Sequence, residues 1–263
     1  MGFPSLAAII TAAGKSERFS STGVKKEYLS IEGHTVLYRA TAPFVAIPSC
    51  KAVLVTCPRE QQEECAIALE DLFEHQMVPL ILCPGGENRQ ESVFNGLKMI
   101  RNLNLDVQYV AIHDGARCFV TEDLIIKTLA NATVFGGSAP ALMVVDAPKG
   151  IDQNGLIINH LERKSTVGVQ TPQIFKYPEI LQAHEAAQAR KREYIDDTQI
   201  FTDAGFKVGV CQGDRENRKI TYLEEIPDAK AQIDQYLLAR REGLRAQQAA
   251  HELNKAMLEA KNQ

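Results

Sequence analysis

The chain has 263 residues, 45% hydrophobic and 24% charged, with a formal net charge of −4 and a pI near 5.9. This is the composition of a soluble globular protein, and the length allows one large α/β domain or two small ones. The acidic balance excludes a general attraction to nucleic acid or to an anionic membrane, so any anion site has to be a local cluster of cations.

Short apolar runs alternate with helical stretches along the first half. LAAIITAA (6–13) reads as a strand and VLYRATAPFVAI (36–47) as a helix. KAVLVTC (51–57) is a strand, EQQEECAIALEDLFEH (60–75) an amphipathic helix, and VPLILC (78–83) a strand. NRQESVFNGLKMIRN (88–102) is a helix, VQYVAIHD (107–114) a strand, and TEDLIIKTLANATVFG (121–136) a helix ending at a Gly pair. Continuous Val/Ile/Leu strands between helices predict a mostly parallel sheet with helices on both faces. The pattern then changes: residues 138–162 read as two strands around a turn, with Asn154-Gly155 a strong hairpin signal. Two strands alone are marginal in water, so this arm is expected to pack on something, most simply a second copy of the chain. A turn and helix over 171–191, a short helix over 196–205, and strands over 206–214 and RKITY (218–222) follow. From Pro227 the chain reads helical to its end, giving a domain over 1–240 and a polar, Ala-rich tail over 241–263.

Cys50, Cys57, Cys65, Cys83, Cys118 and Cys211 are dispersed without a CxxC pair and read as reduced thiols of a cytoplasmic protein. The N-terminal apolar run is short and lacks a basic flank, which reads as a core strand and not as a signal peptide. No run reaches the ~20 apolar residues of a membrane helix.

Three segments carry chemistry. AAGKSERFSSTGVKKEYL follows the first strand, at the sheet edge where open α/β sheets bind ligands. It matches neither a P-loop nor G-x-G-x-x-G. Ala12, Ala13 and Gly14 let backbone amides approach a phosphate, and Lys15, Arg18, Lys25 and Lys26 surround the spot with positive charge. A triphosphate carries about four negative charges, which suits such a loop. In CPGGENRQESVFNGL (83–97), the Gly85-Gly86 turn and Ser92 near a helix start could grip a nucleobase edge. In YVAIHDGARCF (109–119), Asp114 ends a buried strand, where a carboxylate can ligate Mg²⁺ held by phosphate oxygens, with Arg117 close enough to pair with a second phosphate. His113 reads as a core residue facing inward. Lys219 lies in the charged stretch DRENRKIT near the same edge.

Taken in order, AAGKSERF–KKEYL, GGENRQESVFNGL, IHDGAR, TPQIF and DRENRKIT resemble the 2-C-methyl-D-erythritol 4-phosphate cytidylyltransferases of the non-mevalonate isoprenoid pathway, over about residues 6–238. The resemblance implies a Rossmann-like domain with a β-arm that clasps a second subunit, a CTP substrate and magnesium. It assigns Ala12, Ala13 and Gly14 to the triphosphate; Gly86, Glu87 and Ser92 to cytosine and ribose; and Asp114 to the metal-linked nucleotide. Arg18, Lys26 and Lys219 become the catalytic cations. Arg117, Arg163, Thr171 and Asp196 match acceptor positions, with Arg163 reaching across from the partner's arm. Three residues depart from the family pattern. Lys25 stands where Pro is usual, one residue being inserted upstream, which leaves Lys25 as an alternative to Lys26. Ala147 and Asp196 stand where Thr is usual, and both fall on the acceptor side. They keep open another polyol phosphate, chiefly ribitol 5-phosphate. A nucleotide-binding module without catalysis is the reading from a different class.

Overall fold

The computed structural model describes residues 3–14, 24–73 and 78–242. Four parallel strands form the centre: β1 (Leu6–Thr11), β4 (Cys50–Cys57), β5 (Leu80–Pro84) and β6 (Tyr109–Asp114), with β1 between β4 and β6. A two-strand ribbon, β2 (Ser30–Ile31) with β3 (His34–Thr35), leads into α1 (Val36–Val45). Successive side chains of β1 point to opposite faces. Leu6, Ala8 and Ile10 pack in one core with Leu37 and Phe44 of α1 and with Leu124, Ile125 and Leu129 of α5 (Glu122–Phe135). Ala7 and Ile9 pack in the other with Val93, Leu97 and Ile100 of α4 (Arg89–Asn102). Every residue of β1 to Ile10 is buried, which is why the run shows no polar alternation.

The helix expected over 60–75 is broken. A 3₁₀ turn precedes α2 (Gln62–Ile67), and α3 (Glu70–Phe73) follows. The joint tightens through Leu69 N–H to Ala66 O and Leu72 N–H to Leu69 O, keeping Cys65, Leu69 and Leu72 buried together.

The arm region divides. β7 (Gly137–Met143) joins the main sheet, while β8 (Lys149–Ile151) and β9 (Ile157–His160) form a separate hairpin. Its turn holds Gly155 at φ 82°, as the Asn-Gly pair predicts. β10 (Val167–Val169) returns along β7, and β11 (Gln173–Lys176) inserts between β6 and β7, antiparallel to both. Then come α6 (Tyr177–Arg190), α7 (Asp197–Asp203) and β12 (Val208–Gln212), which runs parallel to β7. The full order is β10-β7-β11-β6-β1-β4-β5, with β12 on β7. α6 and α7 add Ile180, Ala183, Ile200 and Phe201 to the second core, so helices cover both faces of a mostly parallel sheet.

RKITY is not a strand. Residues 217–221 run without regular structure, held at Ile220 by one backbone bond to Ala116 O at 2.8 Å. Ile220 is apolar because it fills a third small core with Val24, Val36 and Ile233. The chain is helical again over 229–242. The tail from 243, with Lys15 and Arg18, lies outside the described residues. Among the described residues no helix is long and apolar enough to cross a membrane, and the six cysteines are free thiols.

Candidate active site

Three loops converge at the carboxyl edge of β1, β5 and β6, and small residues allow it. Ala12 N–H bonds Thr56 O at 2.8 Å, fixing the start of the first loop on β4. A side chain at Gly85 would run into Ala13, and one at Gly115 would meet Thr11 O at 3.0 Å. Gly14 by contrast meets nothing within 4 Å among the described residues. The cleft between these loops is lined by Ala13, Gly14, Lys26, Glu27, Arg89, Ser92, Asp114 and Lys219.

Asp114 is its electrostatic centre. Lys219 Nζ lies 2.9 Å from Oδ2, Arg89 Nε 3.1 Å from Oδ1, and Arg117 Nε 3.8 Å from Oδ2. Burial pushes the carboxyl up, but Arg89, Lys219 and Arg117 outweigh it and hold the group well below the usual carboxylate range. Arg117 is under-supplied with acceptors. Its Nη1 donates to Asn217 O at 2.7 Å, while its buried Nε and the buried Oδ1 of Asn217 lack hydrogen bonds among the described residues. Burial draws its pKa down, against the pull of Asp114.

The two candidate lysines separate. Lys25 is buried, donating to Ala12 O at 2.8 Å just past β1, and burial lowers its pKa. Lys26 lines the cleft and donates to Ile220 O at 2.8 Å, next to Lys219. Ser92 accepts from Gly86 N–H at 3.0 Å and donates to Asn88 O at 2.8 Å. Asn88 caps α4 through Glu91 N–H, and Glu91 in turn holds Glu87 N–H at 2.8 Å.

The acceptor-side residues do not all reach the cleft. Thr171 is buried and committed: it accepts from Asp114 N–H at 3.1 Å and meets His113 Nδ1 at 2.9 Å. His113 Nε2 faces Arg117 O at 3.1 Å, so Nε2 carries the proton and Thr171 donates to Nδ1. Burial pushes the His113 pKa down to about 4. His113 is thus a neutral core residue, as its inward-facing position on the strand suggests. Asp196 is the cap of α7, with Oδ1 accepting from Gln199 N–H and Thr198 Oγ1 and Oδ2 from Gln173. Its charge is spent on the helix start and is not turned into the cleft. Arg163 is exposed on the arm side, donating to Val145 O at 3.3 Å. Ala147 is also exposed there.

Arg89, Asp197 and His184 escaped the reading of the sequence. Arg89 stands inside the GGENRQES segment, and its partners are 25 and 108 positions away. The one available signal was its place at the first position of a helix beside a glycine turn.

An open, mostly parallel α/β sheet with cations around one carboxylate, set beside small-residue loops at its carboxyl edge, defines a protein that handles a nucleotide's phosphates. The comparisons narrow the class. The chain belongs to the IspD family, the 2-C-methyl-D-erythritol 4-phosphate cytidylyltransferases, whose model matches residues 6–235. It is 34% identical over 221 residues to the enzyme of that name from Caldanaerobacter subterraneus subsp. tengcongensis, covering 84% of this chain and 95% of the relative. It is 32% identical to that of Clostridium botulinum strain Loch Maree, covering 83% and 93%. The crystal structure of 4-diphosphocytidyl-2C-methyl-D-erythritol synthase from Anaerococcus prevotii superposes with a TM-score of 0.72 at 26% identity, covering 88% of this chain and 99% of that one.

Proposed function

We propose that the enzyme transfers CMP from CTP to 2-C-methyl-D-erythritol 4-phosphate and releases pyrophosphate. Family membership supports the reaction. The observation that carries it in this chain is the meeting of Lys26, Arg89 and Lys219 around Asp114, beside Ala13–Gly14 and Ser92. The acceptor's phosphate monoester, with a second pKa of about 6, is largely dianionic at neutral pH and attacks the α-phosphorus without a strong base. The bond from the α-phosphorus to the bridging oxygen breaks, and pyrophosphate carries the electron pair away. This agrees with a neutral, buried His113. Lys26, Lys219 and Arg18 stabilise the developing charge, and the loop amides align the triphosphate. Arg117, beside Asp114 just past β6, suits the acceptor's phosphate.

The donor set fits magnesium in a limited way. Among the described residues no cluster of three or more His, Cys, Asp or Glu could hold an ion alone. Magnesium, however, commonly takes one or two carboxylates together with substrate phosphates. Asp114 is the residue that would meet an ion carried by the triphosphate, where it would neutralise phosphate charge. Chelator in excess should abolish turnover; full activity in its presence would remove Asp114's metal role.

A second copy of the chain is the partner that suits the arm. Val145, Leu156, Ile157 and Ile158 stand 71%, 64%, 59% and 66% exposed on or beside a hairpin too small to be stable by itself. Supplying CTP and Mg²⁺ with methylerythritol phosphate or ribitol phosphate in turn, and measuring released pyrophosphate, tests the reading. Turnover with the ribitol ester alone would replace the acceptor, and CTP binding without turnover with either would leave a binding module.

A further inference from the structure

We propose that Arg89 is a positioning residue that ties the start of α7 to Asp114, fixing one carboxylate oxygen while the other stays free to change partners. The proposal rests on the cytidylyl-transfer reading above and adds a residue and a division of labour to it.

Arg89 is the first residue of α4, set by the Asn88 cap directly after the Gly85–Gly86 turn. Its Nε donates to Asp114 Oδ1 at 3.1 Å and its Nη1 to Asp197 Oδ2 at 2.6 Å. Asp197 is fully buried, its other oxygen meeting His184 Nε2 at 3.0 Å and its backbone N–H bonding Gln173 Oε1 at 3.1 Å. His184 is itself buried and stacks on Phe94 of α4. A buried carboxylate is costly unless paired, and the planar guanidinium fork can serve two carboxylates at once where an ammonium is a point charge. The row His184–Asp197–Arg89–Asp114 therefore joins α6, α7, α4 and β6 through side chains alone.

The opposite oxygen of Asp114 is held differently. Arg117 stands off at 3.8 Å, and the oxygen's hydrogen-bonding partner Lys219 is 45% exposed, on an irregular segment, whereas Arg89 is 29% exposed and anchored at both ends. An arriving phosphate or its cation can draw Lys219 away. It cannot draw Arg89 without stripping Asp197 of its counter-charge. Arg89 thus keeps the Asp114 carboxylate oriented during that exchange, and it couples the nucleotide loop to the helix that Asp196 and Asp197 begin.

The test uses Arg89→Lys, Asp197→Asn and the double variant, with steady-state pyrophosphate release, CTP titration by calorimetry and thermal melts. Misplacing a reacting group by about 1 Å can cost about 10²-fold in rate. Arg89→Lys should lower kcat by about 10- to 100-fold with CTP affinity changed less than about threefold. Asp197→Asn, which keeps the shape of the side chain, should show the same kcat-selective loss in weaker form. Adding it to Arg89→Lys should cost nothing further, because both break one strut. Variants with lowered melting temperature and unchanged kcat would make the network purely structural and overturn the proposal, as would strictly additive losses. Should Arg89→Lys fail to fold, Asp197→Asn alone decides, by whether kcat falls at constant CTP affinity. Wild-type turnover is the control: its absence defeats the transfer reading and this proposal together, whereas wild-type turnover with unaffected variants defeats the proposal only.

Discussion

Adjacent lysines at the entrance to the cleft show how one position changes a side chain's work. Lys25 turns inward and donates to Ala12 O, a buried carbonyl just past β1. Lys26 turns to the cleft wall. Lys26→Ala should therefore lower kcat by about 10²–10³-fold with little change in melting temperature, as for other preorganised electrostatic groups. Lys25→Ala leaves a buried acceptor unpaired and should cost about 1–3 kcal/mol of stability. Denaturant titration and kinetics on the two variants separate these outcomes, and the reverse pattern would exchange their roles. His113 gives a second expectation. Its folded pKa of about 4 lies below the ordinary 6.5, so the unfolded chain takes up the proton first. The stability due to its neutral burial is complete above pH 6.5 and drains away as pH falls toward 4. The loss is on the order of 3 kcal/mol in total. Asp114 and Asp197, both held below the carboxylate range, lose their contribution only at more acid pH, so the window belongs to the histidine. Unfolding free energies of wild type and His113→Asn at pH 7 and pH 5 should converge at the lower pH; parallel curves would exclude His113 as the source.

Elements meet at this sheet edge because side chains are missing there. A methyl group at Gly85 would run into Ala13 and stand 3.3 Å from Ser92 Oγ and 3.4 Å from Cys57 O, so the nucleotide loop would have to shift. Gly85→Ala is expected to cost about 1–3 kcal/mol, typical of overpacking, and to weaken CTP binding. Gly14→Ala meets nothing among the described residues and should leave stability within about 0.5 kcal/mol while still crowding the phosphate path. Melts and CTP calorimetry on the pair would expose an error if both behaved alike. The same elements explain what could be read in the sequence. β1, β4 and β6 are buried on both faces and β5 is partly buried, so their apolar runs announced them, and Asn88, Thr121 and Asp196 marked helix starts. β11 was hidden because it is four residues long and opens with a buried Gln173 that serves α7. RKITY imitated a strand because Ile220 is buried in a side-chain cluster, while its single backbone bond to Ala116 O does not extend into a ladder. Arg89 was hidden for a related reason: its bridge closes over 108 positions, and no local spacing records such a contact.

For the whole molecule, the question is what the arm does outside its own fold. The net charge of −4 gives no general pull toward anions, and the cations matter because they gather at one edge. The arm leaves that body bearing Ile157 and Ile158, both more than half exposed, and is followed by Arg163, which has no place in its own cleft. An apolar hairpin of this size gains by burial against a second copy, and a two-fold contact would bury both arms at once. The enzyme should then run in solution at about twice its 29.1 kDa chain mass, and Ile158→Asp should shift it to monomer. If Arg163 serves the partner's acceptor site, Arg163→Ala should stay dimeric yet lose turnover. Mixing it, after dissociation and reassembly, with the Lys26→Ala enzyme should bring activity back. Each mixed dimer contains one cleft with an intact Lys26 facing an intact Arg163. Activity that stays lost while mixed dimers form would mean that each arginine serves its own chain.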